Sequence, residues 1–301
     1  MPSDEIIKKA LEQIRKRPAN HDYFFSKLDS ADWIEPLDRA ELFSTPPQAI
    51  REGEKISFPF WPESQYLQRI ASIAPEQVAA VIMRMLETDN VRVHEDLAQA
   101  ASKLPAFLAA RWAQKEAVWV EKQEYLYFSL PEALGNLIAH LAVSGELQAT
   151  LALAKAVFRI RIGRDNSRQA YAKFDKWEYE ELLKKYYPEV IRHTDGAGIA
   201  LLCDLLDAAL IEESDSEEDC SWIWRPAIEP HSQNHRHGEL RNALIDSIRD
   251  SSELLIQIGT GLSEIIRTFL DRKRLVFSRI AIHLAAEHSQ YLEAKEIACN
   301  R

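Results

Sequence analysis

Glycine is the first shortage. The chain has 9 glycines in 301 residues, about 3% against a usual share of roughly 7%. Few backbone positions can therefore need positive φ, as expected when most residues lie in helices. Cysteine is also sparse. Cys203, Cys220 and Cys299 stand far apart and form no CxxC pair, which excludes a disulfide framework and fits free thiols in a reducing compartment. No run of about 18 apolar residues occurs, so no membrane-spanning helix is expected. Met1 to Arg17 lacks the apolar core of a signal peptide. These shortages together predict a cytoplasmic location. Signature motifs are missing too. None of the glycines opens a GxxxxGK[ST] loop, and GxGxxG, HExxH and GxSxG are absent, which removes the common nucleotide, metalloprotease and hydrolase readings. Positive charge is outnumbered, with 37 Lys and Arg against 47 Asp and Glu and a net charge of −10. Such a balance disfavours nucleic acid as a partner unless the basic residues are segregated.

What is present is ordinary globular material. The 46% hydrophobic and 28% charged residues suit one large or two ordinary domains with a sizeable core. Apolar residues fall at i, i+3, i+4, i+7 in Val78, Val81, Ile82, Met85, Leu86 and again in Leu134, Leu137, Ile138, Leu141, Ala142, which sets each group on one helical face. Pro62, Pro75, Pro105 and Pro131 each precede such a run, and Glu63, Glu76 and Glu132 follow three of them. Proline suits the first helical turn and carboxylates suit its dipole. Successive starts at 75, 91, 105, 131 and 146 predict antiparallel helices of about 12–15 residues joined by short turns. The fold class is all-α, and the finer expectation is an α-solenoid of HEAT- or TPR-like helix pairs. A globular helical bundle is the alternative. No constant repeat period can be read.

Three regions follow. Residues 1–61 hold a short charged helix and then an aromatic, proline-rich stretch from Tyr23 to Trp61, expected to be short helices and loops that cap the array. Residues 62–160 are the helical-repeat array. Residues 161–301 contain a long polar helix ending near Arg192, a break at Asp195 to Gly198, and further helices interrupted by a non-helical 212–238 insertion. The alternations Ile56-Ser57-Phe58 and Phe158 to Ile162 are the only strand-like ones. Pro59 interrupts the first, and the second also reads as a helix end.

Candidate chemistry is weighed residue by residue. His231, His235 and His237, with Cys220 and Glu229 near them, carry donor types that bind zinc, yet their spacing matches no standard metal site. They read as a polar loop, and no metal, cofactor or catalytic residue is assigned. An enzyme with an unfamiliar site at 231–237 is the second alternative. His94 beside Glu95 and Asp96 could act as a base, but capping after Asn90 explains the acids more simply. Arg164 and Arg168, with Trp177 and the other basic and aromatic residues of 159–177, could neutralise phosphates and stack on bases. Asp165, Asp175, Glu178, Glu180 and Glu181 dilute that charge, so nucleic-acid association is the first alternative only. Trp222, Trp224, Arg225 and Glu229, in the run Ser221 to Pro230, are the most distinctive residues. Trp and Arg dominate interaction hot spots. The two tryptophans equally suit pinning of a loop, with Arg225 paired to Glu229 or to the acidic run Glu212 to Asp219.

Several blocks resemble a known family together. They are Phe24-Phe25, Trp33-Ile34 with Pro36-Leu37, Phe60-Trp61-Pro62-Glu63-Ser64, Asn90-Val91-Arg92-Val93-His94, and Trp222-Ile223-Trp224-Arg225-Pro226 with Asn234. Over residues 21 to about 285 the chain resembles the helical-repeat region of large bacterial STAND-like proteins that carry an NTPase module nearer the N-terminus. The nucleotide-binding part is lacking here. The resemblance implies a non-enzymatic interaction scaffold or sensor, with other protein chains, an NTPase among them, as partners.

Overall fold

A computed structural model describes residues 2–162, 170–210, 221–235 and 240–289. Arg164, Arg168, the run Glu212 to Asp219, Cys220 and His237 lie outside the described residues, as does the side chain of His235. The chain divides into two compact units, 1–119 with 126–141 and 120–125 with 142–301. It is mostly helical, with strands confined to two short hairpins among the described residues.

The first unit is built from α1 (Asp4–Lys16), α2 (Pro18–Lys27), a 3-10 turn at Ala31–Trp33 that runs into α3 (Ile34–Arg39), β1 (Ile50–Glu52), β2 (Lys55–Ser57), α4 (Pro62–Ile70), α5 (Pro75–Arg84), α6 (Val91–Ala101) and most of α7 (Ala106–Lys122) and α8 (Leu130–Val143). Local chemistry sets the starts. Pro18, Pro62 and Pro75 occupy the first helical turn, where the missing N–H is not needed. Asn90 caps α6 by accepting the Arg92 N–H at 3.1 Å. Of the predicted faces, Val78, Val81 and Ile82 on α5 and Leu134, Ile138 and Leu141 on α8 are buried, as is Met85 at the C-cap of α5, but Leu86 lies past the helix end and is exposed.

The aromatic segment of this unit wraps Tyr66. Phe25 meets it edge-on at 6.0 Å and Phe43 stacks on it at 6.2 Å, and the Tyr66 hydroxyl donates to the Ser30 carbonyl at 2.8 Å. Each ring pair adds to the burial its area already gives. The Ile56-Ser57-Phe58 alternation proves to be part of a hairpin. Ile50 pairs with Ser57 and Glu52 with Lys55, across a turn in which Gly53 adopts φ +62. Pro59 stops the strand only after Ser57. The hairpin and its flanks are tied to the loop before α6. Asp89 accepts the Ala49 N–H at 2.7 Å and Arg51 Nη1 at 2.5 Å, Thr88 Oγ1 donates to the Pro47 carbonyl at 2.7 Å, and Asn90 Nδ2 donates to the Pro59 carbonyl at 2.8 Å. Burial pushes the Asp89 carboxyl up, but the Ala49 N–H and Arg51 outweigh it and hold the pKa below its ordinary value.

The second unit contains α9 (Leu147–Val157), β3 (Arg161–Ile162), β4 (Ala170–Tyr171), α10 (Lys176–Thr194), α11 (Gly196–Leu210), α12 (Ser221–Trp224), a 3-10 turn at Ser232–His235, α13 (Leu240–Gln257), α14 (Leu262–Leu270) and α15 (Leu275–Glu287). Of the two readings open for Phe158 to Ile162, the strand holds over Arg161–Ile162, which pairs antiparallel with Ala170–Tyr171. The break at Asp195 to Gly198 shrinks to the single residue Asp195, at φ 47, because α11 starts at once at Gly196. The insertion is likewise not wholly irregular, since Ser221–Trp224 makes one helical turn.

Gly198 explains how α10 and α11 approach so closely. A Cβ there would lie 2.6 Å from Thr194 Oγ1 and 2.9 Å from Ile191 Cδ1. The Tyr187 hydroxyl donates to the Gly198 carbonyl at 2.9 Å, so the backbone cannot retreat without breaking a buried bond. Gly198→Ala is therefore expected to destabilise the protein by about 1–3 kcal/mol through overpacking, despite alanine's better helix propensity. Denaturant melts of the variant check this, and an unchanged or raised midpoint would place slack where the structure has none.

Candidate functional site

The segment from Ser221 to His235 has few residues that repeat helically, and side chains from its neighbours hold it instead. Arg225 is at its centre and is 0% exposed. Its Nε donates to the Ala227 carbonyl at 2.7 Å and its Nη2 to the Ile228 carbonyl at 3.0 Å. The same guanidinium forks onto Asp246 of α13, with Nη2 at 2.7 Å from Oδ1 and Nη1 at 3.3 Å from Oδ2. Arg249 joins from the next turn of α13, donating to Asp246 at 2.6 Å and to the Ile228 carbonyl at 2.9 Å. From α15, Arg279 donates to the Arg225 carbonyl at 2.7 Å and the Pro226 carbonyl at 3.1 Å. Asn234 closes the loop on itself by donating to the Glu229 carbonyl at 2.9 Å, and Asn242 of α13 donates to the Asn234 carbonyl at 2.9 Å. Buried carbonyls without donors would each cost stability, and these arginines and amides supply the donors.

The expected partners of Arg225 are thus corrected. Glu229 does not bind it. Its carboxylate lies 4.0 Å from His283 Nδ1 on α15. The run Glu212 to Asp219 lies outside the described residues. The partner is Asp246, which sequence proximity could not indicate. The tryptophans also divide. Trp224 receives the Arg241 guanidinium 4.0 Å from its ring centre, a favourable contact with the indole face. Trp222 does not pin the loop, because it is 60% exposed, and Ile223 beside it is 63% exposed. Two large apolar side chains therefore project from a segment held at its base by Arg225, Arg249, Arg279 and Asn242.

The basic stretch of 159–177 is placed differently from the phosphate-binding reading. Arg159 pairs with Glu121, Arg161 Nη2 donates to the Glu121 carbonyl at 2.6 Å, and Lys173 is buried against the Val120 carbonyl. Burial lowers the Lys173 amine to about 7, with Arg161 and Arg159 adding to the effect. Trp177 is exposed on the first turn of α10. Arg159, Arg161 and Lys173 are thus committed to backbone and carboxylate partners, while Lys176 is exposed at the start of α10.

His94, read as a neighbour of Glu95 and Asp96, belongs instead to a buried group within the first unit. Its Nδ1 is 2.8 Å from both carboxylate oxygens of Glu116 and its Nε2 is 3.0 Å from the Thr88 carbonyl. Its ring stacks on Trp119 with centroids 3.5 Å apart. Both nitrogens face acceptors, so the ring is consumed by structure. A second histidine escaped the sequence reading. His21 Nε2 meets Glu63 Oε1 at 2.7 Å and joins α2 to α4, while Glu63 Oε2 is buried without a hydrogen-bond partner. Only the carboxylate at the start of α4 was legible as a signal, as a dipole-matched acid. His231 is exposed and its Nδ1 accepts the Gln233 N–H at 3.2 Å. Among the described residues no group of His, Cys, Asp and Glu could hold a metal ion, and no helix is long and apolar enough to cross a membrane.

The chain matches no family model, no curated protein and no solved structure. The reading of function therefore rests on the geometry above.

Titration should separate the two units. In the first, the Glu63 hydrogen bond raises the His21 pKa against opposing burial, burial raises Glu95, and burial raises Asp96 to about 6 despite the Ser64 hydroxyl at 2.5 Å. A pKa raised by folding favours the fold at low pH. The His21 contribution is complete below the ordinary imidazole value and is lost as pH climbs through the raised one, whereas the cost of ionising Asp96 builds from 3.8 and is complete above about 6. In the second unit the depressed Lys173 acts oppositely, with its cost complete below about 7 and relieved as pH rises toward 10.5. Hydrogen exchange between about pH 6 and pH 8, corrected for intrinsic rates, is expected to show protection falling in α2 and α4 but not in α9 and α10. His21→Gln should flatten the fall in the first unit.

Arg225 yields a second expectation. Arg225→Ala leaves Asp246 and the Ala227 and Ile228 carbonyls short of donors, and should cost about 3–5 kcal/mol. Arg225→Lys should restore only part of this, because an ammonium cannot fork. Thermal melts with limited proteolysis between 221 and 235 read both effects.

Proposed function

We propose that this chain is a non-enzymatic protein-interaction scaffold or sensor. The observation that carries this reading is the pairing of exposed Trp222 and Ile223 with the wholly buried Arg225. A rigidly held, solvent-facing aromatic and aliphatic pair offers contact area at low entropic cost on binding, which is the composition of an interaction hot spot. The partners are other protein chains, and the resemblance to STAND-like repeat regions makes an NTPase the first to test. In the same reading, the α-helices pair as antiparallel hairpins of a HEAT- or TPR-like solenoid with residues 1–61 as its cap, in the cytoplasm, where its thiols stay reduced. Cys203 supports that setting, as a buried free thiol that burial pushes up to about 12.

The test is a double substitution, Trp222→Ser with Ile223→Ser, in the full chain. Its melting temperature is expected to stay within the scatter of the parent, because exposed side chains contribute little to folding. Affinity purification from the host, with the co-purifying chains identified by mass spectrometry, is expected to lose a specific protein present with the parent. Retention of every partner by the double variant would remove this face from the reading.

A further inference from the structure

The first unit carries a second exposed constellation, independent of the 221–235 segment. Arg92, on the first turn of α6, has its guanidinium carbon 4.3 Å from the centre of the Phe60 ring and 4.3 Å from that of Phe128. Both rings are solvent-facing, Phe60 at 65% and Phe128 at 51% exposed. Phe58 meets Phe128 edge-on at 5.8 Å and Tyr127 at 5.4 Å, which sets Phe60, Phe128 and the guanidinium in a continuous aromatic surface. An aromatic face attracts the cation but leaves its in-plane N–H fork without an oxygen acceptor. The Arg92 side chain makes no hydrogen bond and no ion pair within 4 Å among the described residues. Glu95 and Asp96 act on it only through space, and Glu95 has its own bond from the Ser129 N–H.

Phe128 adds an observation of a different kind. Its φ is +56, in the left-handed region that costs a non-glycine residue stability. The turn before α8 thus keeps a bulky ring in a backbone conformation glycine would occupy freely, and that ring sits on Arg92. Backbone strain of this kind clusters at functional sites, and here it falls on a ring that is exposed and in contact with Arg92.

We infer that Arg92, Phe60 and Phe128 form a docking site for a protein segment that presents a carboxylate flanked by apolar side chains. The fork of Arg92 takes the carboxylate in two parallel hydrogen bonds, and the two phenyl faces take the flanking apolar groups. Charge selects this occupant over a nucleic-acid strand. Asp89, Glu95 and Asp96 lie on or next to the same helix start, and a string of phosphates laid across them would be repelled, whereas one carboxylate reaches Arg92 alone. Phe60 also lines a cavity of about 420 Å³ with Asp22, Ser26, Pro62 and Gln65, which supplies a carboxylate and two polar side chains. It suits an amide or basic group of the same segment.

The probe is the blocked tripeptide acetyl-Leu-Asp-Leu-amide, titrated into the full chain, with acetyl-Leu-Asn-Leu-amide as its uncharged match. The readout is the NMR shift of the Arg92 Nε–H and of the Phe60 and Phe128 ring protons. Saturable shifts with the Asp peptide are expected, and the Asn peptide should bind about tenfold or more weakly. Arg92→Gln should weaken the Asp peptide by about tenfold to a hundredfold, and Arg92→Lys nearly as much, since the fork is lost. Phe128→Gly should melt no lower than the parent, from relief of the positive φ, and still bind more weakly. No saturable shift, or equal binding of the Asp and Asn peptides, would overturn the proposal. Salt-dependent shifts of the same protons with oligothymidylate, exceeding those with the peptide, would overturn it in favour of nucleic acid. The peptide comparison uses the unaltered protein, so it decides even if a variant fails to fold.

Discussion

A peptide group withdrawn from water must find a partner inside the protein, and both irregular segments of this chain are governed by that demand. Helices meet it internally. The stretch from Ser44 to Phe60 and the stretch from Ser221 to His235 cannot, and each is served by side chains borrowed from elsewhere. Thr88, Asp89 and Asn90 lie just before α6 and bind the first stretch. Arg225, Arg249, Asn242 and Arg279 bind the second. In both cases a few polar residues at helix ends or on inward helix faces replace the missing secondary structure. Their energetic weight comes from what would be left unsatisfied without them, more than from the bonds themselves. This is why a fully buried arginine is tolerated. Its fork has acceptors on two backbone carbonyls and one carboxylate, and it carries no unpaired charge.

Helix content was legible in the sequence because it is a local property. The spacing of Val78, Val81 and Ile82, the prolines at 62 and 75, and Asn90 as a cap all act within one or two turns and mark their elements, although the spacing runs on through Met85 and Leu86, past the end of α5 at Arg84. What was illegible was long-range. Asp246 is separated from Arg225 by a whole helix start, and nothing near either residue marks the pair. The alternation ending at Ile162 was visible in the sequence, but its partner strand Ala170–Tyr171 was not. Gly198 read as a loop glycine because chain position cannot reveal that Ile191 and Thr194 occupy the space of its Cβ. At the candidate site the residue types were readable and their roles were not. Trp222 and Trp224 are two positions apart, yet one faces solvent and the other lies against Arg241.

The same division explains which charged residues remain available. Lys173, Arg159 and Arg161 looked like a basic surface and are spent on Val120 and Glu121. Arg92 attracted no attention as a basic residue because acids surround it in sequence, yet its guanidinium lies over two aromatic rings, Phe60 and Phe128. Counting charges therefore overestimates one region and misses the other. The quantity that matters is how many donors of each cation already hold an oxygen, and this depends on tertiary placement.

The hairpin of β1 and β2 has a consequence for association of another kind. Each strand is three residues long and every residue in it is exposed, so each outer edge offers peptide groups to a neighbouring molecule's extended chain. Short length and the charges of Arg51, Glu52 and Lys55 blunt that template. The tether from Asp89 to Ala49 and Arg51 holds one end of the ribbon against its own chain. This ribbon is guarded against indiscriminate strand pairing by brevity and charge rather than by a covering helix.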